Sequence, residues 1–181
     1  MKAVGMIETL SIPKGILAAD AMLKSADVEL ELAQAVCAGK YIVLVSGEVA
    51  AIKSAVDAGE TVTEDALVDS MMISNMTDEV FAAINASTDI ENASALGIME
   101  TFSLCTAMII ADAAVKAASV ELIEIRLGRG LGGKSFVTLT GDVSACKAAI
   151  NAAESMEKSQ GMLVSSVVIP SPHKDIMNAI Y

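Results

Sequence analysis

The chain of 181 residues has very few aromatic side chains: no tryptophan, two tyrosines and three phenylalanines. Its core must therefore be built from Ala, Val, Ile, Leu and Met. Basic residues are also scarce, since 12 Lys and Arg stand against 23 Asp and Glu and leave a formal net charge of −11. Nucleic acids and anionic membrane surfaces attract fields of Lys and Arg. We therefore expect neither as a partner.

Histidine and cysteine are nearly absent, which excludes several kinds of site. His173 is the single histidine and follows two prolines near the C-terminus, where we expect it to cap or pack around a turn. No Ser/His/Asp set and no persuasive acid–base pair of carboxylates emerges from the sequence. We predict that the chain is not an enzyme. The three cysteines are odd in number and form no Cys-x-x-Cys pair, so they do not build a disulfide framework. This cysteine usage is typical of a reducing, cytoplasmic setting.

Long hydrophobic runs are also missing. The most apolar stretch, Leu104 to Val115, contains Thr106 and Asp112 and falls short of the ~18–20 apolar residues that a membrane span requires. Glu8 lies where a signal peptide would need its apolar segment. Yet 54% of the residues are hydrophobic, which excludes disorder and leaves apolar surface for partners.

The sequence contains an internal repeat. The segment AVGMIETLS, which begins at Ala3, returns as ALGIMETFS from Ala95. Further matches follow in order, with a two-residue insertion in the second copy before Lys134, which matches Lys40. We therefore predict a first domain at residues 1–84, a polar linker at 85–92 and a second domain at 93–181.

Each copy has the pattern strand, helix, strand, strand, helix, strand and short helix. In the first copy the predicted strands are residues 3–9, 28–36, 41–45 and 67–73. One helix follows Ser11, which can cap it, and the other covers residues 49–58. Two helices on one face of an antiparallel sheet form a ferredoxin-like βαββαβ domain. The predicted fold class is therefore α+β, with two such domains in tandem.

One motif suggests nucleotide binding. Residues 128–135, GRGLGGKS, satisfy the P-loop pattern G-x-x-x-x-G-K-[ST]. A P-loop is followed directly by a helix whose N-terminus receives the phosphates, whereas residues 136–140, FVTLT, are typical of a strand. We interpret the segment as a glycine-rich hairpin loop.

Cys37 differs from the other two cysteines because it lies at the connection between two predicted strands, beside Gly39. Cys105 and Cys146 fall in predicted helices, where a cysteine is usually a small buried hydrophobe. One thiolate cannot hold a metal cluster, but three copies around a threefold axis would bring three thiolates together. From the residues alone, an inert or merely exposed thiol remains the favoured interpretation.

Four segments each have a counterpart in the second half: Gly5-Met6-Ile7-Glu8-Thr9, Asp20-Ala21-Met22-Leu23-Lys24-Ser25-Ala26, Gly39-Lys40 and Gly47-Glu48-Val49. Together they resemble the bacterial microcompartment shell domain, and the resemblance covers the chain twice. Among tandem-domain shell proteins the sequence is most similar to the iron–sulfur-bearing trimeric type of propanediol-utilisation microcompartments. The resemblance implies a pseudohexameric homotrimer that tiles with other shell proteins around a cytoplasmic bacterial microcompartment.

The resemblance also implies a central pore lined by the connections between the second and third strands. Its implied residues are Val36, Cys37, Ala38, Gly39, Arg129, Gly130, Leu131 and Gly132. Cys37 from each of three chains would hold one shared [4Fe–4S] cluster for electron transfer across the shell, with a redox carrier or an encapsulated oxidoreductase as partner. One alternative is a cluster-free pore for small metabolites. A more distant one is a cytosolic ferredoxin-like regulator that binds a small molecule between the repeats.

Two lysines are implied to mediate tile-edge contacts. Lys24 and Lys116 match the lysine through which neighbouring tiles touch, although a lysine near a helix C-terminus is also favourable with the helix dipole. The family often has an arginine in the loop before the last helix, where this sequence has Asn75 and Ser171. We therefore expect weaker edge contacts or a dependence on other shell proteins.

Overall fold

The computed structural model describes residues 2–88 and 94–180. It divides into two compact units, of which the first comprises residues 1–76, 103–105 and 128–133, and the second the remainder. Both units therefore contain residues from both repeats. The domain bounds expected from the sequence, 1–84 and 93–181, stay a prediction. Residues 89–92 of the predicted linker are outside the described residues.

The two repeats have the same order of elements. The first contains β1 (Ala3–Thr9), α1 (Ile12–Ser25), β2 (Val28–Val36), a 3₁₀ turn (Cys37–Gly39), β3 (Lys40–Gly47), α2 (Val49–Thr63), β4 (Leu67–Ile73) and α3 (Asp78–Ile84). The second contains β5 (Ala95–Thr101), α4 (Leu104–Ala117), β6 (Val120–Leu127), β7 (Ser135–Gly141), α5 (Val143–Glu154), a 3₁₀ turn (Glu157–Ser159), β8 (Leu163–Pro170) and α6 (Lys174–Ile180). The predicted α+β fold with two βαββαβ domains is confirmed. Within residues 2–88 and 94–180, no helix combines the length and apolarity needed to cross a membrane.

Each repeat forms a four-stranded antiparallel sheet, ordered β2-β3-β1-β4 in the first and β6-β7-β5-β8 in the second. The strand register is also repeated, since Gly5 lies opposite Val45 and Gly97 lies opposite Leu139. Even the irregularities recur: the outer pairing shifts after Glu8 in one sheet and after Glu100 in the other. Residues at matching positions can therefore be compared one by one.

The first sheet packs one face against α1 and α2. Its inward residues include Ile7 and Val43, which meet Met22 and Ile52 in a buried aliphatic cluster. Removal of this apolar surface from water is the main stabilising contribution. Ser11 caps α1 as predicted, because its side chain accepts the N–H of Lys14.

Helix α2 is longer than predicted. It continues to Thr63 instead of ending at residue 58, because Gly59 is a site of close packing rather than a helix end. A Cβ at Gly59 would lie 3.0 Å from Met22 and 3.2 Å from Ile7. The glycine lets the helix approach the sheet, and the Thr63 hydroxyl donates to the Gly59 carbonyl at 2.7 Å.

The glycine-rich segment connects β6 to β7, so a strand follows it directly. Gly128, Gly130, Gly132 and Gly133 all have φ between +60° and +87°, the left-handed region that glycine adopts without steric cost. The structure confirms the hairpin interpretation and gives no helix N-terminus for a nucleotide phosphate.

Candidate pore site

Cys37 begins the tight turn between β2 and β3 in the first unit. Ala38 and Gly39 both have left-handed backbone conformations, with φ of 63° and 73°. This conformation costs a residue such as Ala38 about 1–2 kcal/mol, so the surrounding contacts must hold the turn in place. Val36 is buried and fixes the base of the turn, Cys37 is partly exposed, and Ala38 and Gly39 are exposed.

The glycine-rich loop lies directly beside this turn, within the first unit. The backbone N–H of Cys37 donates to the carbonyl of Gly128 at 2.9 Å. In return, the backbone N–H of Gly130 donates to the Cys37 Sγ, also at 2.9 Å. A Cβ at Gly128 would lie 3.1 Å from the Val36 side chain. The missing side chain thus permits the close approach of the two backbones.

All eight predicted pore residues belong to the first unit and to these two adjacent segments. We refer to them as the loop surface: Val36, Cys37, Ala38, Gly39, Arg129, Gly130, Leu131 and Gly132. Arg129 is exposed and its Nη2 donates to the Gln34 side-chain oxygen at 2.8 Å. The loop surface therefore presents a thiol, small residues and a positive charge together.

A buried ion pair stabilises the segments that form the loop surface. Lys40 Nζ lies 2.6 Å from Glu8 Oε1 and donates to the Gly133 carbonyl at 2.8 Å. The other carboxylate oxygen of Glu8 accepts the backbone N–H of Leu104 at 2.8 Å and the hydroxyl of Ser103 at 3.3 Å. This cluster holds both segments in register. The sequence analysis assigned no site role to Glu8 or Lys40, although the duplication of both residues was a signal for one.

The matching pair in the second unit is much more open. Lys134 Nζ lies 2.6 Å from Glu100 Oε1, but the two side chains are 38% and 31% exposed. Glu100 and the nearby Phe136 line a cavity of about 450 Å³. The same chemical pair is therefore enclosed in one repeat and accessible in the other.

All three cysteines are free thiols. Cys105 and Cys146 are fully buried, in agreement with their predicted environments. Burial raises the pKa of the Cys146 thiol, and the Asp142 carboxylate adds to the effect. Cys37 is the exception, with its sulfur at the loop surface.

No group of three or more metal-ligating side chains occurs among the residues that the structure describes. His173 lies apart from the loop surface residues in sequence, is exposed, and accepts the backbone N–H of Asp175 at its Nδ1. Cys37 therefore belongs to no such group within residues 2–88 and 94–180.

Lys24 and Lys116 occupy the last turns of α1 and α4. Lys24 pairs with Asp20 at 2.7 Å and Lys116 pairs with Asp112 at 2.5 Å. Both side chains have exposed surface, that of Lys24 more than that of Lys116. Their role at a tile edge stays a prediction.

Comparison with known proteins identifies the family. The profile of the BMC (bacterial microcompartment) domain matches residues 3–76 and 95–172. The chain belongs to the BMC domain family. It is 38% identical over 175 residues to the bacterial microcompartment shell protein PduT of Citrobacter freundii, and the match covers 97% of this chain and 95% of that protein. The chain is thus a structural microcompartment shell protein with two BMC domains.

Two further relatives agree with this assignment. A crystal structure of a microcompartment protein from Desulfitobacterium hafniense DCB is 48% identical, has a TM-score of 0.88 and covers 98% of this chain and 99% of that one. The shell protein EutM of Salmonella typhimurium is 43% identical over 83 residues, which are 45% of this chain and 83% of EutM. EutM therefore matches about one BMC domain. The predicted location in a microcompartment shell is confirmed, and the relatives named shell proteins are consistent with a role that is not enzymatic.

Proposed function

We propose that three copies of the chain form a pseudohexameric shell tile and hold one [4Fe–4S] cluster through their Cys37 thiolates. The loop surfaces of the three copies meet at the threefold axis and line its pore. The cluster serves electron transfer between the two sides of the shell. Membership of the BMC family supports the role in a microcompartment shell. The environment of the Cys37 sulfur is the observation that supports the cluster.

The surroundings of Cys37 fit a cluster ligand. Iron–sulfur clusters are held by cysteine thiolates, and hydrogen bonds to the sulfurs and solvent exposure tune their potentials. The Cys37 sulfur is partly exposed and receives the Gly130 N–H at 2.9 Å. A Cβ placed at Gly39 or at Gly130 would meet nothing within 4 Å. There is therefore open space near the sulfur, both at the turn that contains Cys37 and at the glycine-rich loop.

Three copies per tile are what the resemblance to tandem-domain shell proteins implies. One chain offers one exposed cysteine, and two BMC domains per chain give a ring of six domains from three chains. Closed cyclic symmetry is the usual arrangement of soluble homo-oligomers. Three protein thiolates leave one iron to a ligand from outside the chain, so we expect the cluster to be labile and accessible to solvent.

Each nearby residue has a distinct task in this proposal. Cys37 binds iron, and the Gly130 amide stabilises the negative charge on the sulfur. The Glu8–Lys40 pair keeps the turn and the glycine loop at a fixed separation. When bound, the cluster supplies one-electron transfer. A one-electron carrier on one side and an oxidoreductase on the other are the partners that this chemistry needs.

The proposal is tested by anaerobic purification of the wild type, Cys37→Ser and Cys146→Ala, with iron and sulfide quantitation and EPR. We expect about four irons per trimer in the wild type, the same content in Cys146→Ala, and no cluster in a Cys37→Ser protein that is still trimeric. Cys146→Ala is the matched control because it removes a thiol that is buried. An iron-free wild-type trimer, even after reconstitution under reducing conditions, would contradict the cluster and leave a pore for small metabolites.

A further inference from the structure

The loop surface carries a positive charge in a chain that is strongly acidic. The segments that contain it, residues 33–41 and 127–136, have two lysines and one arginine but no Asp or Glu, although the whole chain has 23 acidic residues against 12 basic ones. The two lysines, Lys40 and Lys134, each pair with a glutamate. Arg129 is therefore the source of the net positive charge of these segments.

The guanidinium group of Arg129 is held by a neutral partner. Its Nη2 donates to the side-chain oxygen of Gln34 at 2.8 Å, and the arginine is exposed. An amide orients the guanidinium without cancelling its charge. A guanidinium has five N–H donors, so donors remain for a second acceptor. Carboxylate and phosphate groups match this planar set of donors. Arg129 thus has both the charge and the donors that recognise a small anion.

Two connections along the chain place this charge near Cys37, within the first unit. Arg129 comes directly before Gly130, whose N–H donates to the Cys37 sulfur at 2.9 Å. Gln34, on β2, lies three residues before Cys37, which is about 10 Å along a strand. The Debye length is about 10 Å at 0.1 M salt and longer in more dilute salt. The charge of Arg129 therefore acts on a solute that approaches the sulfur.

The approach to the sulfur is bordered by small residues. A Cβ placed at Gly130 or at Gly132 would meet nothing within 4 Å. On the facing turn, Ala38 and Gly39 are exposed. A small solute therefore has room beside the sulfur, and the charged side chain that it meets on the loop surface is that of Arg129.

We propose that Arg129 selects the redox partner of Cys37 by charge, so that the cluster exchanges electrons with a small anionic carrier that bears carboxylate or phosphate groups. One electron passes between the carrier and the cluster, and no bond forms or breaks. The redox role of the carrier rests on the proposed function, whereas the attraction of anions to the Cys37 thiol depends only on the loop surface. Three copies around a threefold axis bring three guanidinium groups to the pore and strengthen the effect.

The selectivity is measured first at the Cys37 thiol of the iron-free protein. An anionic and a cationic methanethiosulfonate, the sulfonatoethyl and the trimethylammonioethyl reagents, each convert the thiolate to a mixed disulfide and release methanesulfinate. A unit charge about 10 Å away in water changes each rate about twofold at low ionic strength, in opposite directions. We therefore expect the ratio of the anionic to the cationic rate to fall by about fourfold or more in Arg129→Gln. A changed thiolate fraction affects both reagents equally and leaves the ratio unaltered.

Matched variants separate the charge of Arg129 from other effects. Lys53→Gln removes the same charge from an exposed ion pair on α2, outside the loop surface, and should keep the wild-type ratio. Arg129→Lys retains the charge and should restore most of the ratio. Gln34→Glu places a carboxylate against the guanidinium and should lower the ratio as Arg129→Gln does. Cys37→Ser should take up neither reagent, because the other two cysteines are fully buried.

The cluster-loaded trimer tests the redox role of the anionic carrier. Tris(oxalato)cobaltate(III) is an anionic oxidant and hexaamminecobalt(III) a cationic one, and each accepts one electron from the reduced cluster. The ratio of the anionic to the cationic oxidation rate should fall by about fourfold or more in Arg129→Gln, whereas Lys53→Gln should leave it unchanged. High salt should bring the wild-type ratio toward that of Arg129→Gln, because it screens the charge.

The outcomes separate this inference from the proposed function. Equal ratios of thiol rates in the wild type and Arg129→Gln would overturn the role of Arg129, even if the trimer holds its cluster. A Cys37 thiol that reacts with neither reagent would overturn it as well. A selective thiol in a protein that never binds iron supports the attraction of anions, and the cluster proposal then fails alone. A selective thiol with an unselective cluster would overturn the anionic carrier.

Discussion

Glu8 and Glu100 occupy the same place in two repeats with the same fold and register. Each carboxylate pairs with a lysine at 2.6 Å, yet the Glu8 side chain is fully buried and that of Glu100 is 31% exposed. The first is enclosed by residues from the other repeat; the second opens on a cavity. The same ion pair is thus enclosed by the rest of the chain in the first repeat and accessible from a cavity in the second.

The two repeats also differ in the connection between their second and third strands. The first repeat has a three-residue turn that begins with Cys37, whereas the second has a longer loop with four left-handed glycines. In the proposed trimer this places three thiols on the axis, each beside one glycine loop. Within one chain, the first repeat thus carries the cysteine proposed as the iron ligand. The second repeat provides the N–H group that donates a hydrogen bond to its sulfur.

The largest effect is expected from the two lysines. Lys40→Met leaves Glu8 buried without its cation, which should cost about 3–5 kcal/mol of unfolding free energy. Lys134→Met should cost about 1 kcal/mol or less, because that pair is partly exposed. Urea denaturation of the wild type and of the two variants measures both losses. Equal losses of unfolding free energy in the two variants would show that the two lysine–glutamate pairs do not differ in burial.

The terminal helices α3 and α6 offer a second comparison. Val80→Ala removes buried methyl groups and should cost about 2 kcal/mol. Ile176→Ala acts on an exposed side chain and should change the unfolding free energy by about 0.5 kcal/mol or less. A large loss of stability from Ile176→Ala would contradict the exposure of this side chain.

The smallest effect concerns α5, where Cys146 takes the place of Ile52 on α2. Burial raises the pKa of Cys146 above its ordinary value of 9.0, and Asp142 contributes further. The unfolded chain therefore releases this proton at lower pH than the folded chain, so the contribution is complete below pH 9.0 and is lost as the pH rises. Cys146→Ala should flatten the decline in unfolding free energy as the pH rises through 9.0 and above. Unchanged slopes would show that this thiol has the same pKa in both states.

Much of the fold was accessible from the sequence because it depends on local patterns. The apolar run from Ala3 to Thr9 and the cap at Ser11 were predicted where the structure has them. The end of α2 was wrong because a glycine in a helix is ambiguous: Gly59 is there for packing, not termination. Local sequence carries no sign of which role a glycine has.

The site was predicted only in part, for a physical reason. The position of Cys37 at a strand connection is a local property, and the turn is where the sequence placed it. The bonds from Gly130 to Cys37 and from Leu104 to Glu8 join residues more than 90 positions apart. Such contacts depend on how the repeats fold together, so the different burial of Glu8 and Glu100 cannot be read from their closely similar surroundings in sequence.

The most direct test of the central claim is native mass spectrometry on trimers assembled from mixed wild-type and Cys37→Ser chains under anaerobic conditions. Each trimer can then be assigned its number of Cys37 thiols and its cluster content separately. We predict the mass of one [4Fe–4S] cluster on trimers with three wild-type chains, and its loss as soon as one chain carries the Cys37→Ser substitution. A cluster retained on trimers with a single Cys37, or absent from trimers with three, would contradict a site shared equally by three copies.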